Sequence, residues 1–300
     1  MTTKFSIIIS LILVLTTCIA LHAAVINVPA DYSVIQTAIN NSQNGDTVLV
    51  APGTYQEFIY FNGKLITLKS TDGPLVTTIT YSDDFNLVTF RDGENELATI
   101  EGFTLKGGDI GIRCINARPR ILRNIITGQT TDWAAVVLGG YGAVVGDSPA
   151  EIINNTIVNN VAGGIASNSS SPPIVFNNIM AFCGEYGLHG TVIKSYNLYY
   201  GNPEDLAYGD SYGSGSLTGL DPLFNFDYSL APGSPCIDVG NPNPFWNDSD
   251  GTRSDIGAVP GEYPDVVYQP ITRFVPLEYE SIQFAIASSY SGDTVEVAPG

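Results

Sequence analysis

Three hundred residues with 31 glycines, 18 prolines, 30 Asp+Glu and only 12 Lys+Arg exclude a helical bundle, because glycine and proline are poor in helix interiors. A hydrophobic share of 44% is enough for a core and excludes a disordered chain. The formal net charge of -18 repels phosphate backbones and anionic lipid surfaces, which argues against nucleic acid as a partner.

Residues 1–24 open with Lys4, run through an apolar stretch from Ile7 to Leu15 and end in the small residues Ala23 and Ala24. This is the pattern of a secretory signal peptide, and the apolar stretch is short for a membrane span of about 20 residues. No later stretch is apolar enough to span, so the mature chain is expected outside the cell, secreted or at the surface.

Ile35, Ala38 and Ile39 then share one helical face, predicting a short amphipathic helix over residues 33–42. Gly45-Asp46 makes a turn and Thr47 to Ala51 a β-branched strand. The same unit returns without a gap from Val275 to Gly300, offset from Val28 by 275 minus 28, or 247 residues. We expect 25–268 to be one unit, loop-rich from about residue 203, and 269–300 the start of a second in tandem. A helix beside the first strand suits the cap of an open strand stack.

A second, shorter repeat lies between the copies. An aliphatic residue is followed three places later by Asn and two beyond that by an apolar residue: Ile121-Asn124-Ile126, Ile152-Asn155-Ile157, Val175-Asn178-Met180. Phe103 takes the Asn place in an earlier copy and Asn197 closes the series, giving intervals of 21, 31, 23 and 19. A period near 22 with no helix between strands predicts a chain winding once per repeat and pairing each strand with the coil below. Leu105, Ile126, Ile157 and Met180 are its expected core column. The asparagines are expected at bends, in left-handed backbone, with their amides bonded from coil to coil. Glycines before Ile112, Ala143, Ile165 and Leu188 are expected to serve a similar bend. The second interval carries about nine extra residues, expected as a loop over 129–137.

Gly45-Asp46-Thr47-Val48-Leu49-Val50-Ala51-Pro52-Gly53-Thr54-Tyr55 and Ile152-Ile153-Asn154-Asn155-Thr156-Ile157-Val158-Asn159-Asn160 resemble secreted bacterial right-handed parallel β-helix proteins of the pectin-lyase-like superfamily. Ser234 to Asp238 and Asp248 to Ala258 are similar to the closing segment of many such extracellular proteins. The resemblance implies an all-β, right-handed parallel β-helix solenoid with a short N-terminal capping helix. It spans lyases, hydrolases, adhesins and surface proteins, so it implies no single activity.

Family lyases act on polyuronates with acidic calcium ligands and an Arg or Lys base on the outer face of neighbouring coils. Arg113 is the candidate base here, with Asp109 nearby; Val144, Ala166 and His189 are its expected outward neighbours, and no carboxylate joins that column. The bland alternative is a basic surface strip. His189 is the remaining catalytic candidate, though the Gly-His-Gly and Arg-Ile-Lys segments of family hydrolases have no counterpart here. Asp132 and Trp133 are the binding candidates, since an aromatic with hydrogen-bonding neighbours suits a sugar ring; Trp133 equally well covers its own coil. Asp248, Asp250 and Asp255 surround a glycine turn and are candidate calcium ligands, with an ion pair to Arg253 as the alternative. Cys114, Cys183 and Cys236 are widely spaced and odd in number, expected as core fillers rather than disulfides or a zinc site. The expected function is an exported β-helix module for surface attachment, display or glycan binding, its partner an extracellular polysaccharide. A polysaccharide lyase or glycosidase acting on acidic polymers is the runner-up.

Overall fold

Aliphatic triplets separated by single left-handed residues cannot run on straight, so each triplet becomes a short strand and each break a corner. The computed structural model describes residues 23–82, 85–140, 146–207, 211–248, 250–259, 272–275, 282 and 294–298. A coil passes from sheet A to sheet B through a tight corner, then to sheet C. Glu151–Ile153, Thr156–Val158 and Gly163–Asn168 make one such coil; Ile174–Phe176, Ile179–Ala181 and Tyr186–His189 make the next. Sheets A and B hold eight strands each and sheet C seven. Successive coils pair in parallel, Ile121 with Ile152 and Ile152 with Val175, Ile126 with Ile157 and Ile157 with Met180, Ile165 with Leu188. This is the all-β parallel solenoid expected of a right-handed β-helix.

The helix Ile35–Asn41 buries Ile35, Ala38 and Ile39. The Glu57 carboxylate accepts from the backbone N–H of Ile35 and Gln36, both at 3.0 Å, satisfying donors that the first helical turn leaves open. Leu105, Ile126, Ile157 and Met180 are each 0% exposed, as a continuous column requires, and each contributes about 1.5–3 kcal/mol by burial.

The asparagines form a ladder through the corner between sheets A and B. Asn155 donates to Ile121 O at 2.8 Å and Asn178 Oδ1 at 3.0 Å, and accepts from the Asn124 N–H at 2.9 Å. Asn178 repeats this with Ile152 O at 2.7 Å and Asn197 Oδ1 at 3.1 Å. The ladder ends at Phe103, whose N–H donates to Asn124 Oδ1 at 3.0 Å. The bend itself lies one residue earlier than the sequence suggests. Arg123 (φ 54°), Asn154 (53°), Asn177 (56°) and Tyr196 (50°) are left-handed, and the ladder asparagines are not.

A second ladder, five residues on, fills the corner between sheets B and C. Gln129 donates to Gly107 O at 2.9 Å, Asn160 to Ile126 O at 3.2 Å and Asn202 to Met180 O at 2.9 Å. Cys183 stands in the same column, its thiol 3.9 Å from Ile157 O. Among the described residues, Cys114, Cys183 and Cys236 are free and buried, as fillers should be. Burial pushes the Cys183 and Cys236 thiols up to about 12, so neither is a nucleophile.

The coil of Arg120–Leu122, Ile125–Thr127 and Ala134–Gly139 corrects the expected loop. Ala134–Gly139 is a fully buried strand of sheet C, with Val137 pairing Arg113 on one side and Ala166 on the other. Its run Ala134-Ala135-Val136-Val137-Leu138 does not alternate because both faces are covered, which hides a strand from a periodicity argument. Positions 126 to 136 span 10 against 8 for 157 to 165, whereas 138 to 152 span 14 against 8 for 167 to 175. Most of the insertion therefore follows the strand. Gly142-Ala143 is not this coil's counterpart of Gly111-Ile112, a place taken by Ala135-Val136; residues 142–144 lie outside the described residues. Nor do the described recurrent glycines, Gly111, Gly164 and Gly187, make bends, since none has positive φ. A Cβ at Gly111 would meet Ile126 Cγ2 at 2.6 Å and one at Gly187 would meet Asp205 O at 2.8 Å, so they permit close approach of neighbouring coils.

The closing segment wraps back over the outer faces of two sheets. Asn154 donates to Asp255 O at 2.8 Å, Asn177 accepts from the Asn241 N–H at 2.7 Å, and Ala258 N–H donates to Thr156 Oγ1 at 3.0 Å. Trp246 covers Leu122, Ile153 and Phe176 on sheet A, and Cys236 and Ile256 cover Val158, Ile179 and Leu198 on sheet B. Thr272–Val275 and Thr294–Val297 pair in parallel and in the register of Val25–Val28 with Thr47–Val50, 247 residues earlier. Residues 1–22 of the expected leader and most of the repeated unit, including its 268/269 boundary, lie outside the described residues.

Candidate functional site

The later coils of sheets A and B are covered, and the outer face of sheet C carries an open pocket. Thr89, Arg113, Val137, Ala166 and His189 follow one another up this face. Val137 takes the outward place expected of Val144, and the column carries no carboxylate. Arg113 and His189 are three levels apart, about 14 Å at the usual strand spacing, too far to act on one bond. Asp109 sits in the turn below Arg113, its N–H held by Phe85 O at 3.0 Å and its carbonyl by the Thr131 N–H at 3.1 Å.

The pocket, about 720 Å³, lies at the sheet B edge of this face. Trp133 and Tyr186 supply aromatic walls, Glu185 and Glu204 the acidic rim and His189 the far side, with Leu206 and Ala207 beneath. Each wall is positioned by the coil. Tyr186 lies over Gly163, where a Cβ would fall inside its ring, and its hydroxyl donates to Trp133 O at 2.7 Å. Trp133 O also accepts from the Gly163 N–H at 2.9 Å. Tyr186 and His189 rings stand 5.4 Å apart. Burial, reinforced by the Glu185 charge, pushes the Tyr186 phenol well above its ordinary range, so it is a neutral hydroxyl.

Trp133 is half-buried and packs beside Ile110, Ala134 and Val137, so it both covers its coil and faces the pocket. Exposed Asp132 is outside the lining, and Gln129 is buried in the second ladder. Thus two expected site residues, Trp133 and His189, come together. Tyr186, Glu185 and Glu204 were not legible as a motif, because each comes from the entry to a strand in a different coil or beside its neighbour.

Asp248, Asp250 and Asp255 each hold backbone of the closing segment, Asp248 accepting from the Asp255 N–H at 2.9 Å. Asp250 turns its carboxylate onto Thr252, accepting from its N–H at 2.9 Å, and Asp255 accepts from the Asp238 N–H at 2.7 Å. Among the described residues no three acids, histidines or cysteines are grouped to hold a metal ion. Arg253 Nε donates to Gly240 O at 2.6 Å and lies 5.5 Å from the centre of the Tyr196 ring, rather than pairing with these acids among the described contacts.

Asp248 is 6% exposed, and burial, then the Asp255 charge, pushes it up to about 7. Below about pH 4 it is protonated whether the chain is folded or not. Between about 4 and 7 the unfolded chain releases a proton that the fold retains, so this group's contribution falls as pH rises and is lowest above 7. Asp248→Asn should therefore raise the melting temperature most above pH 7 and hardly at about pH 4. A gain independent of pH would contradict the assignment.

A second cavity, about 230 Å³, lies between sheet A and residues 258–259. Its cations Lys69 and Arg123 already share Glu101, at 3.7 and 3.9 Å, which leaves little charge for a ligand.

No family model and no curated protein matches the chain. A solved structure described as the crystal structure of pectate lyase Pel9A is similar at a TM-score of 0.37 and 14% sequence identity, covering 80% of this chain and 96% of that chain.

Proposed function

We propose that the chain is an exported β-helix module that binds glycan in the sheet C pocket and serves surface attachment or display. One observation carries the reading: two aromatic side chains and two carboxylates from separate coils meet at one open pocket. Sugars present apolar ring faces with hydroxyls around them, which aromatic walls and acceptor oxygens match. The coil stack supplies rigidity, so little ordering accompanies binding.

Binding to a panel of oligosaccharides by calorimetry tests this. Trp133→Ala should weaken the best ligand about tenfold or more without altering the circular dichroism spectrum. Undiminished affinity in that variant would remove the pocket from the account.

Glu185 and Glu204 in one pocket also favour a second reading, hydrolysis by paired carboxylates. Reducing ends released from the same panel, and lost in Glu204→Gln, would decide for it. The lyase form of that reading needs unsaturated products that disappear in Arg113→Ala.

A further inference from the structure

We infer that the sheet C pocket selects amine-bearing glycan units, such as those of glucosamine polymers, over uronates. This rests on the glycan-binding reading above and names its ligand class. The described residues lining the pocket include Glu185 and Glu204 and no lysine or arginine. The two acids belong to adjacent coils whose backbones touch there, the Glu204 N–H donating to Glu185 O at 3.0 Å, so both charges act on the same small volume.

A uronate would bring its carboxylate to this pair with no lysine or arginine among the described lining residues to receive it. Arg113, the nearest cation up the outward column of sheet C, is separated from His189 by Val137 and Ala166, about 14 Å away and beyond a Debye length at physiological salt. The net charge of -18 adds a field that turns polyanions away and draws cations in. An ammonium group gains on both counts. It pairs with the carboxylates and is attracted to the aromatic faces of Trp133 and Tyr186. Because Tyr186 packs on Gly163 with its hydroxyl bonded to Trp133 O, the aromatic wall is fixed before the ligand arrives. Acidic polymers are thus the class of glycan that the pocket suits least.

Calorimetry on the full chain at about pH 6 tests the inference with three oligomers of equal length: glucosamine, N-acetylglucosamine and galacturonate. The glucosamine oligomer should bind about tenfold tighter than the acetylated one, with the preference shrinking between about 0.05 and 0.5 M salt. The galacturonate oligomer should not bind. In Glu185→Gln/Glu204→Gln, whose fold is checked by thermal melting, the preference should vanish while residual binding persists through Trp133. Equal binding of amine and acetylated oligomers, tighter binding of galacturonate, or a preference surviving in the double variant overturns this inference and leaves glycan binding standing. Failure of all three to bind overturns both.

Discussion

Asn155→Ala lowers the unfolding free energy by about 4 kcal/mol, a large effect for a single polar substitution. The side chain is 0% exposed. Its removal leaves the Asn124 N–H and the Ile121 carbonyl, bonded to it at 2.9 and 2.8 Å, buried without those partners. Each such orphan costs about 1–3 kcal/mol, and the break also divides a chain of amides that polarise one another. The control is Asn159→Gly. Asn159 has φ 55° and bonds outward to Tyr228 at 3.0 Å, so glycine relieves backbone strain while losing one exposed contact, and stability should move by less than about 0.5 kcal/mol. Urea denaturation followed by circular dichroism separates the two. Similar midpoints would mean that the ladder is not what holds the coils in register.

Gly163→Ala is the second large effect, and it joins fold to site. The new methyl would overlap the Tyr186 ring, which can move only by giving up its bond to Trp133 O. We expect a loss of about 1–3 kcal/mol, as for other overpacked positions, together with loss of glycan binding. In Gly163→Ala/Tyr186→Ala the clash is gone, so part of the stability should return while binding should not. That non-additivity is the signature of direct contact. A Gly163→Ala protein with unchanged stability would show that the ring does not lie on the glycine.

The solenoid was legible because its cause is periodic. Asn124, Asn155, Asn178 and Asn197 keep one residue type in one corner, and the aliphatic residues around them keep one phase. The second ladder was not legible, since Gln129, Asn160, Cys183 and Asn202 solve the same geometric problem with three residue types. The insertion between Asn124 and Asn155 lies elsewhere than its sequence suggests for a related reason. A strand covered on both faces, Ala134–Gly139, has no alternation to announce it, and a tryptophan beside it reads as a loop.

The site was half legible. Trp133 and His189 carry chemistry visible in isolation, but Glu185, Tyr186 and Glu204 acquire theirs from the coil that stacks them. Marking strand entries in phase, at 133–134, 163, 186 and 204, aligns them once the register is known. The closing segment reads in sequence as a run of acids and turns. In the fold it covers the later coils of sheets A and B, while the sheet C pocket stays open.

The chain contains two tryptophans, one in the pocket and one, Trp246, 4% exposed in the closing segment. Titrating glycan into Trp246→Phe, which emits from Trp133 alone, is the most direct test of the sheet C pocket. The emission should shift and saturate with the calorimetric affinity, while Trp133→Phe, emitting from Trp246, should stay silent. A saturating change in Trp133→Phe with none in Trp246→Phe would place the ligand on the closing segment and contradict the account.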